Sequence, residues 1–286
     1  MTRHAVMDLQ HVPVSFDAVH WLVHARCVVG DGPLHVVIAP KEDGVGGFAR
    51  DWGKHDEAEA RWRLWHIVIP ACQMVGATVT LAGTREEAAR IAGQSAWWPE
   101  GKSHLVRHVV DAVRSGAAVP MLKPSEAARR HVGEWLARFE RPVVTLTLRR
   151  KANDPGRNSD PATWKRFAAW LRDAGYDVVF LADTVEALAA GRGYAELDID
   201  LRLALYEAAH CNVIGANGPI ALLFHSGAPF IRVAMGQPER QWRKHLREHT
   251  GLAWGEKLPW LRTDQRMCYR PDTYGVLVEE FTAWRS

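Results

Sequence analysis

The sequence predicts an α/β fold of two Rossmann-like lobes, each an alternation of strands and helices around a parallel sheet. Three observations carry that expectation. The chain has 286 residues, long for one compact core and comfortable for two domains of about 100–150 residues. Short apolar runs alternate with amphipathic stretches in the order strand, helix, strand that parallel βαβ units require. The alternation also breaks once, over residues 94–123, and then restarts. The predicted domains are therefore 1–123 and 124–286.

Ala5–Leu9 opens the chain as an apolar segment. Ser15 is a natural N-cap for a helix to Val29 that places Phe16, Val19, Val23 and Cys27 on one face. His35–Ala39 reads as a buried strand ended by Pro40, followed by a loop with Gly44, Gly46 and Gly47. Residues 55–75 read as one helix with Trp62, Trp65 and Ile69 on its buried side, and Thr78–Ala82 as a strand. Thr84 with Glu87 three residues on spells a capping box. Residues 94–123, with Trp97, Trp98, Pro99, Gly101, Gly116 and Pro120, read as a linker.

A helix capped by Ser125 runs to about Phe139, and Arg141-Pro142 precede the strand Val143–Leu148. Asp160-Pro161 opens a helix that Gly175 closes, and Asp177–Ala182 is a strand ending at Asp183. Helix Ile199–Ala209, strand Cys211–Ile214, helix Pro219–Ser226, strand Phe230–Val233 and a final helix over Thr273–Trp284 complete the second half. Open parallel sheets bind ligands beyond the carboxyl ends of their strands. Two such lobes would turn those ends toward a central cleft, so function is sought in the residues that follow strands.

Composition narrows the class. The 36 Lys+Arg against 33 Asp+Glu leave a net charge of +3, with 47% hydrophobic and 24% charged residues, which excludes a disordered or collagen-like chain and a general polyanion binder. No window reaches 18 consecutive apolar residues, and Met1–Leu9 contains His4 and Asp8 where a signal peptide would have a basic and then an apolar region. Cys27, Cys72, Cys211 and Cys268 are scattered singly, without metal or redox spacing, and read as reduced thiols of a cytoplasmic protein.

Charge is uneven along the chain. Residues 141–157 hold Arg141, Arg149, Arg150, Lys151 and Arg157 against the single acid Asp154, a local excess of +4 that exceeds the charge of the whole protein. Arg149 and Arg150 follow a strand, and the loop they open ends at a helix N-terminus, whose N–H groups and dipole favour an anion. Arginine forks beside such a terminus suit a diphosphate; a solvated loop in which Ser159 or Asp160 caps the helix suits the same residues. Gly215-Ala216-Asn217-Gly218-Pro219 is a second strand, tight loop and helix start, with Gly218 permitting close backbone approach and Pro219 leaving the next N–H groups free for an oxygen anion. An ordinary βα turn capped by Asn217 has the same pattern.

Thr147-Leu148-Arg149, Arg157-Asn158-Ser159, Asp200–Glu207 and Asn217–Leu222 together resemble the C-terminal lobe of GT-B glycosyltransferases, in particular bacterial heptosyltransferase-like and fucosyltransferase-like enzymes. The likeness spans residues 142–235. It departs at Ala221, where the heptosyltransferase turn usually carries His, and at Thr147, where the fucosyltransferase motif commonly begins with His. The resemblance implies a GT-B fold and transfer of a hexosyl or deoxyhexosyl group from a nucleotide-diphosphate sugar to a glycan or glycolipid acceptor, with no metal or other cofactor. It implies that Arg149 and Arg157, assisted by Arg150, neutralise the diphosphate, and that Asn158, Ser159, Asn217, Gly218 and Pro219 contact the nucleotide. Asp183 would face the nucleoside on this view, or else cap the helix after it.

Sugar transfer needs a base for the acceptor hydroxyl. Glu42 and Asp43 follow a strand of the first lobe and are the named candidates, with Asp17 and His20 behind them. His20 and His24, a helical turn apart, read as a packed pair in preference to a metal site, and Asp198 and Asp200 as helix-start acids in preference to a metal-binding motif. Gln237–His249 reads as a solvated basic helix that would also suit an anionic acceptor or peripheral membrane association. Trp97, Trp98, Trp242, Trp254 and Trp260 are candidate sugar-stacking platforms, whereas Trp164 and Trp170 have core spacing. Two alternatives remain open: a nucleotide-sugar epimerase or hydrolase on the same fold, and a non-catalytic nucleotide-sugar-binding or assembly protein.

Overall fold

The computed structural model describes residues 2–41, 57–149, 158–182, 195–234 and 239–286. The chain divides into two compact units, Met1–Lys123 with His249–Gly251 and Pro124–Glu248 with Leu252–Ser286. Each is an α/β unit on its own parallel sheet, of three strands in the first and five in the second. No helix among the described residues is long and apolar enough to cross a membrane.

In the first unit β1 (Arg3–Asp8), β2 (Leu34–Ala39) and β3 (Ala77–Leu81) lie side by side in that order. Alternation along the strands places Val6, Val37 and Ala39 against Ala88 and Ala92 of α4 (Arg85–Ala92). Half of the expected capping box is formed as such: Thr84 accepts from the Glu87 N–H at 3.0 Å, while the Glu87 carboxylate reaches one residue further back and accepts from the Gly83 N–H at 2.7 Å. Helix α1 (Asp17–Val29) buries Val19, Trp21, Leu22 and Val23.

Two expectations for this unit are corrected. Residues 94–123 are not a linker. Trp97 bridges to the free edge of β1, donating to His4 O and accepting from Val6 N–H at 2.9 Å each. Val106–Arg114 form α5, whose Val106, Val109 and Val110 are buried at helical spacing. The helix expected over 55–75 is instead α2 (Glu57–Arg63), a π-helical turn (Leu64–Val68) and α3 (Ile69–Met74). A π turn holds one residue more than an α turn and shifts the phase of the buried face. Leu64, Ile67 and Val68 take that face, and Trp65, expected inside, is 58% exposed.

The carboxyl end of β1 is closed by an ion pair between a buried carboxylate and a partly exposed arginine. Asp8, 3% exposed, accepts from both terminal nitrogens of Arg85 at 2.8 and 2.6 Å, from the Gln10 N–H at 2.9 Å and from Trp98 Nε1 at 3.3 Å. Although burial alone would raise its pKa, these donors and the Arg85 charge together hold it below the usual carboxylate range. Arg85 also donates to Pro40 O at 3.1 Å, so one guanidinium joins the ends of two strands to the first turn of α4.

In the second unit α6 (Glu126–Leu136), capped by Ser125, precedes β4 (Val143–Thr147), α7 (Pro161–Asp173), β5 (Asp177–Leu181), α8 (Ile199–Ala208), β6 (Cys211–Gly215), α9 (Ile220–Phe224) and β7 (Phe230–Ala234). Then come α10 (Glu239–Thr250), the unpredicted β8 (Gln265–Pro271) and α11 (Tyr274–Arg285). Helices α7 and α11 cover one sheet face, where Trp164, Phe167, Leu171, Leu277 and Phe281 meet Val144, Leu146, Val213, Ile231 and Val233. Gly175, at φ 91°, ends α7 with the Tyr176 N–H returning to Leu171 O at 3.0 Å, a reversal that needs the left-handed conformation glycine adopts without strain.

Burial keeps two imidazoles of the first unit neutral. His20 is pushed down to about 4 by burial, against the pull of Asp17 and with His104 and His249 adding to the effect; His24 is pushed down to about 4 by burial and then by His108. The unfolded chain takes up these protons near pH 6.5 and the folded chain only near 4, so stability is full above about 6.5 and falls as pH drops through that window. For the fully buried His20 the slope is about 1.4 kcal/mol per pH unit. Urea unfolding at about pH 7.5 and about pH 5 should record the loss, and His20→Gln with His24→Gln should flatten it.

Candidate functional site

The five-stranded sheet has the order β5-β4-β6-β7-β8. The chain begins at β4, adds β5 on one side, and then crosses to add the remaining strands on the other. Beyond the carboxyl ends of the two strands flanking such a crossing an open parallel sheet binds its ligand, because the loops leave in opposite directions. Here those strands are β4 and β6. Their register pairs Thr147 with Ile214, so they finish at one level, and Arg149 and Asn217 each lie two residues past a strand end.

The face of this sheet opposite α7 carries polar side chains at alternate positions. Thr145 Oγ1 donates to Asn212 Oδ1 at 2.6 Å, and Asn212 Nδ2 donates to Tyr206 O and to Pro229 O at 2.8 Å each. The Thr147 and Tyr206 hydroxyls are 3.2 Å apart. One turn earlier on α8, Arg202 is fully buried and donates to Ala182 O at 2.7 Å, just past β5. Glu207, further along the same helix, is paired with Arg129 at 3.1 Å.

Arg149 is 5% exposed and makes contacts of its own with the protein, so it is not a solvated surface cation. Its backbone is pinned to Ser159: the Ser159 N–H donates to Arg149 O at 3.0 Å and the Arg149 N–H to Ser159 Oγ at 3.3 Å. The two ends of the basic loop are thereby held together, with Asn158 half-buried beside them. The anion site expected at the start of α7 is corrected. Asp160 already accepts from the N–H groups of Ala162 and Thr163 at 3.2 and 3.0 Å and from the Thr163 hydroxyl at 2.7 Å, and these bonds hold its pKa below the ordinary value.

The turn after β6 is also corrected in part. The N–H groups of Ile220, Ala221 and Leu222 donate to Asn217 O, Gly218 O and Pro219 O at 3.3, 3.1 and 3.1 Å, so they are not left for an oxygen anion, and α9 is only five residues long. What the turn presents is the Asn217 side chain. It is 5% exposed, and neither its Oδ1 nor its Nδ2 has a hydrogen-bond partner among the described residues. A buried polar group left unpaired costs about 1–3 kcal/mol, so it calls for an explanation.

Sequence reasoning missed part of the neighbourhood. Arg232 on β7 lies 4.9 Å from the Trp242 ring and 5.7 Å from the Tyr269 ring, and Arg243 lies 4.9 Å from Trp254. Ala216, in the turn after β6, packs against Ala234 and Trp242. Trp242 is therefore a buried packing residue and not an open platform, while Trp254 stays half-buried. Trp260 donates to Phe224 O at 2.7 Å and stacks on His225, and Trp97 packs on Trp21 and His24. Alternating apolar residues flagged β7, yet nothing in its pattern marks Arg232 as buried.

Of the remaining candidates, Glu42, Asp43, Arg150, Arg157 and Asp183 lie outside the described residues. In the first unit Asp17 is exposed on the opening turn of α1, accepting from the Ser15 hydroxyl at 3.2 Å, whereas His20 is buried. Asp198 caps α8, and Asp200 accepts from the Ser125 N–H and hydroxyl at 2.8 and 2.6 Å, so both acids hold helix ends. Among the described residues no group of three His, Cys, Asp or Glu side chains is arranged to hold a metal ion.

No protein-family model matches the sequence, and no curated protein matches it. Solved structures do. The crystal structure of the glycosyl transferase family 9 from Veillonella parvula matches with a TM-score of 0.53 at 10% identity, over 99% of this chain and 96% of that one. E. coli ADP-heptose lps heptosyltransferase II gives 0.47 at 12% identity over 99% and 98%. E. coli heptosyltransferase WaaC with ADP gives 0.47 at 14% identity over the whole of both chains. The chain thus has the two-lobe α/β fold of the Veillonella glycosyltransferase over nearly its full length, the GT-B architecture that the motif resemblance implied.

The polar ladder behind the site has a measurable weight. Asn212→Leu removes the bonds that the amide makes to the Thr145 hydroxyl and to Tyr206 O, while Pro229 O keeps the Asn212 N–H at 3.1 Å, and should lower unfolding free energy by about 2–4 kcal/mol in urea. Adding Thr145→Val should cost less than the two single changes together, since the pair shares one bond.

Proposed function

We propose that the protein is a glycosyltransferase that takes a sugar from a nucleotide-diphosphate sugar and passes it to a glycan or glycolipid hydroxyl. The observation that carries this reading is the placement of Arg149 and the unpartnered Asn217 amide past the two strands that flank the crossing point of the second sheet. The fold shared with the Veillonella glycosyltransferase supports it. Other proteins of this architecture, the E. coli heptosyltransferases, are described with ADP-heptose or ADP, which makes an adenosine diphosphate sugar the first donor to try.

On this reading the second unit, residues 124–286, binds the donor and the first, residues 1–123, the acceptor. As the acceptor oxygen bonds to the anomeric carbon, the bond to the diphosphate breaks and negative charge gathers on the departing nucleoside diphosphate. Arg149 stabilises that charge together with Arg157 and Arg150, an electrostatic effect that grows toward the transition state. Asn158, Ser159, Gly218 and Pro219 shape the nucleotide's surroundings, and Asp183 accepts from the nucleoside. Glu42 or Asp43 takes the proton of the acceptor hydroxyl. The acid pair Asp198 and Asp200 is engaged in holding helix ends, which supports cations in the chain, and not a metal bound there, as the partners of the diphosphate.

A thermal-shift panel of ADP-, GDP-, UDP- and CMP-sugars tests the reading. A true donor at 100 times its dissociation constant should add about 2.7 kcal/mol of stability. Arg149→Ala should weaken that donor at least about tenfold in calorimetry, equivalent to about 1.4 kcal/mol, and Arg149→Lys should recover only part of the loss because an ammonium lacks the planar fork. A panel in which no nucleotide sugar shifts the midpoint rejects the proposal.

A further inference from the structure

The backbone of the turn after β6 is complete without the Asn217 side chain. The Asn217 N–H donates to Gly215 O at 2.9 Å, and Asn217 O accepts from the Ile220 N–H at 3.3 Å. The residue at the cap of α9 is Pro219, and no side chain makes a cap bond there. Asn217 therefore does not hold the turn, although an Asn before a short helix reads as a cap. Its amide is nevertheless buried, with a donor and an acceptor both unpartnered among the described residues.

That combination restricts the ligand. An amide offers an acceptor at Oδ1 and two donor hydrogens at Nδ2. A diphosphate oxygen only accepts, so it would satisfy Nδ2, leave Oδ1 unsatisfied and bring negative charge against it. A hydroxyl both donates and accepts, and a single hydroxyl or a neighbouring pair satisfies both amide atoms. We infer that Asn217 binds a sugar hydroxyl and not the diphosphate, so that it selects for the glycosyl donor's hydroxyl pattern while Arg149 and its loop deal with charge. This inference rests on the nucleotide-sugar reading of the site. The hydroxyl belongs to the transferred sugar or to the nucleoside's ribose, and the same chemistry serves both.

The test is calorimetry of the full-length wild type and Asn217→Ala with four probes: inorganic pyrophosphate, the nucleoside diphosphate and the nucleotide sugar that give the largest shift in the panel above, and the 2′-deoxy form of that nucleoside diphosphate. The variant should lose affinity for the nucleotide sugar by about tenfold or more and keep that for pyrophosphate within about twofold, as expected where a buried polar group is built to pair with a substrate hydroxyl. A loss confined to the nucleotide sugar places the hydroxyl on the transferred sugar. An equal loss for the nucleoside diphosphate, matched by weak wild-type binding of the 2′-deoxy form, places it on the ribose.

Equal weakening of pyrophosphate, or no weakening of any probe, overturns the inference. Ligand-free Asn217→Ala should unfold at or above the wild-type midpoint, because the change removes an unsatisfied buried group. A variant that unfolds earlier, or fails to fold, makes Asn217 structural and overturns the inference as well. If no panel member binds the wild type, the donor reading falls and takes this inference with it, a result distinct from equal loss among ligands that do bind.

Discussion

The hydrogen bond from Thr145 to Asn212, 2.6 Å long and fully buried between β4 and β6, is the contact on which the rest of the second unit's site depends. Asn212 spends its remaining donors on Tyr206 O and Pro229 O, so the same side chain that joins two strands also fixes the end of α8 and the approach to β7. With α8 located, Tyr206 reaches Thr147 at the strand end and Arg202 reaches Ala182 beyond β5. The carboxyl ends of β4 and β5 and the start of β6 are thereby referenced to one helix. A sheet face of this kind is costly unless every group is satisfied, and satisfied networks rigidify what they join. The rigidity matters because a crevice at a crossing point is defined by loops, and loops hold a shape only as well as their anchors do.

The two sheets treat their carboxyl edges differently. In the first unit the strand ends are closed by the protein's own charges: Asp8 and Arg85 satisfy one another, with Trp98 and Gln10 completing the carboxylate's shell. Four donors on one carboxylate, and a pKa held down by them, make Asp8 a clasp and a poor proton acceptor. In the second unit the corresponding edge keeps the Asn217 amide, buried and without a partner among the described residues. The contrast separates a strand end sealed by an ion pair from one whose buried amide is left over by the fold's own hydrogen bonds.

Much of the architecture was legible because it follows local rules. Pro142, Pro161 and Gly175 punctuate α7 and its flanking strands, and Thr84, Ser125 and Thr273 cap the helices they precede. What escaped was set by tertiary context. Strand β8, Gln265–Pro271, lacks an apolar alternation because it pairs at the sheet margin and leaves charged Arg266 and Arg270 to Glu280 and Glu279. Nothing local to Arg232 or Arg202 names the aromatic rings and carbonyls, drawn from distant segments, among which the two are buried. For the candidate site, the sequence indicates the loops that follow β4 and β6. The partners within those loops were not legible, since helix N–H groups that a sequence leaves open are consumed by Asp160 or by the turn itself.

The π-helical turn at Leu64–Val68 is in effect a splice between two α-helical phases, and Trp65 is the residue the mismatch turns outward. The protein has 13 tryptophans, and among the described residues Trp65 alone is more than half exposed, while Trp21 and Trp164 are fully enclosed. Its indole consequently emits in a watery setting that its described counterparts do not share. Among the described tryptophans a soluble quencher such as iodide would reach it first, which makes a defect of helical phase into an optical label for the surface of the first unit.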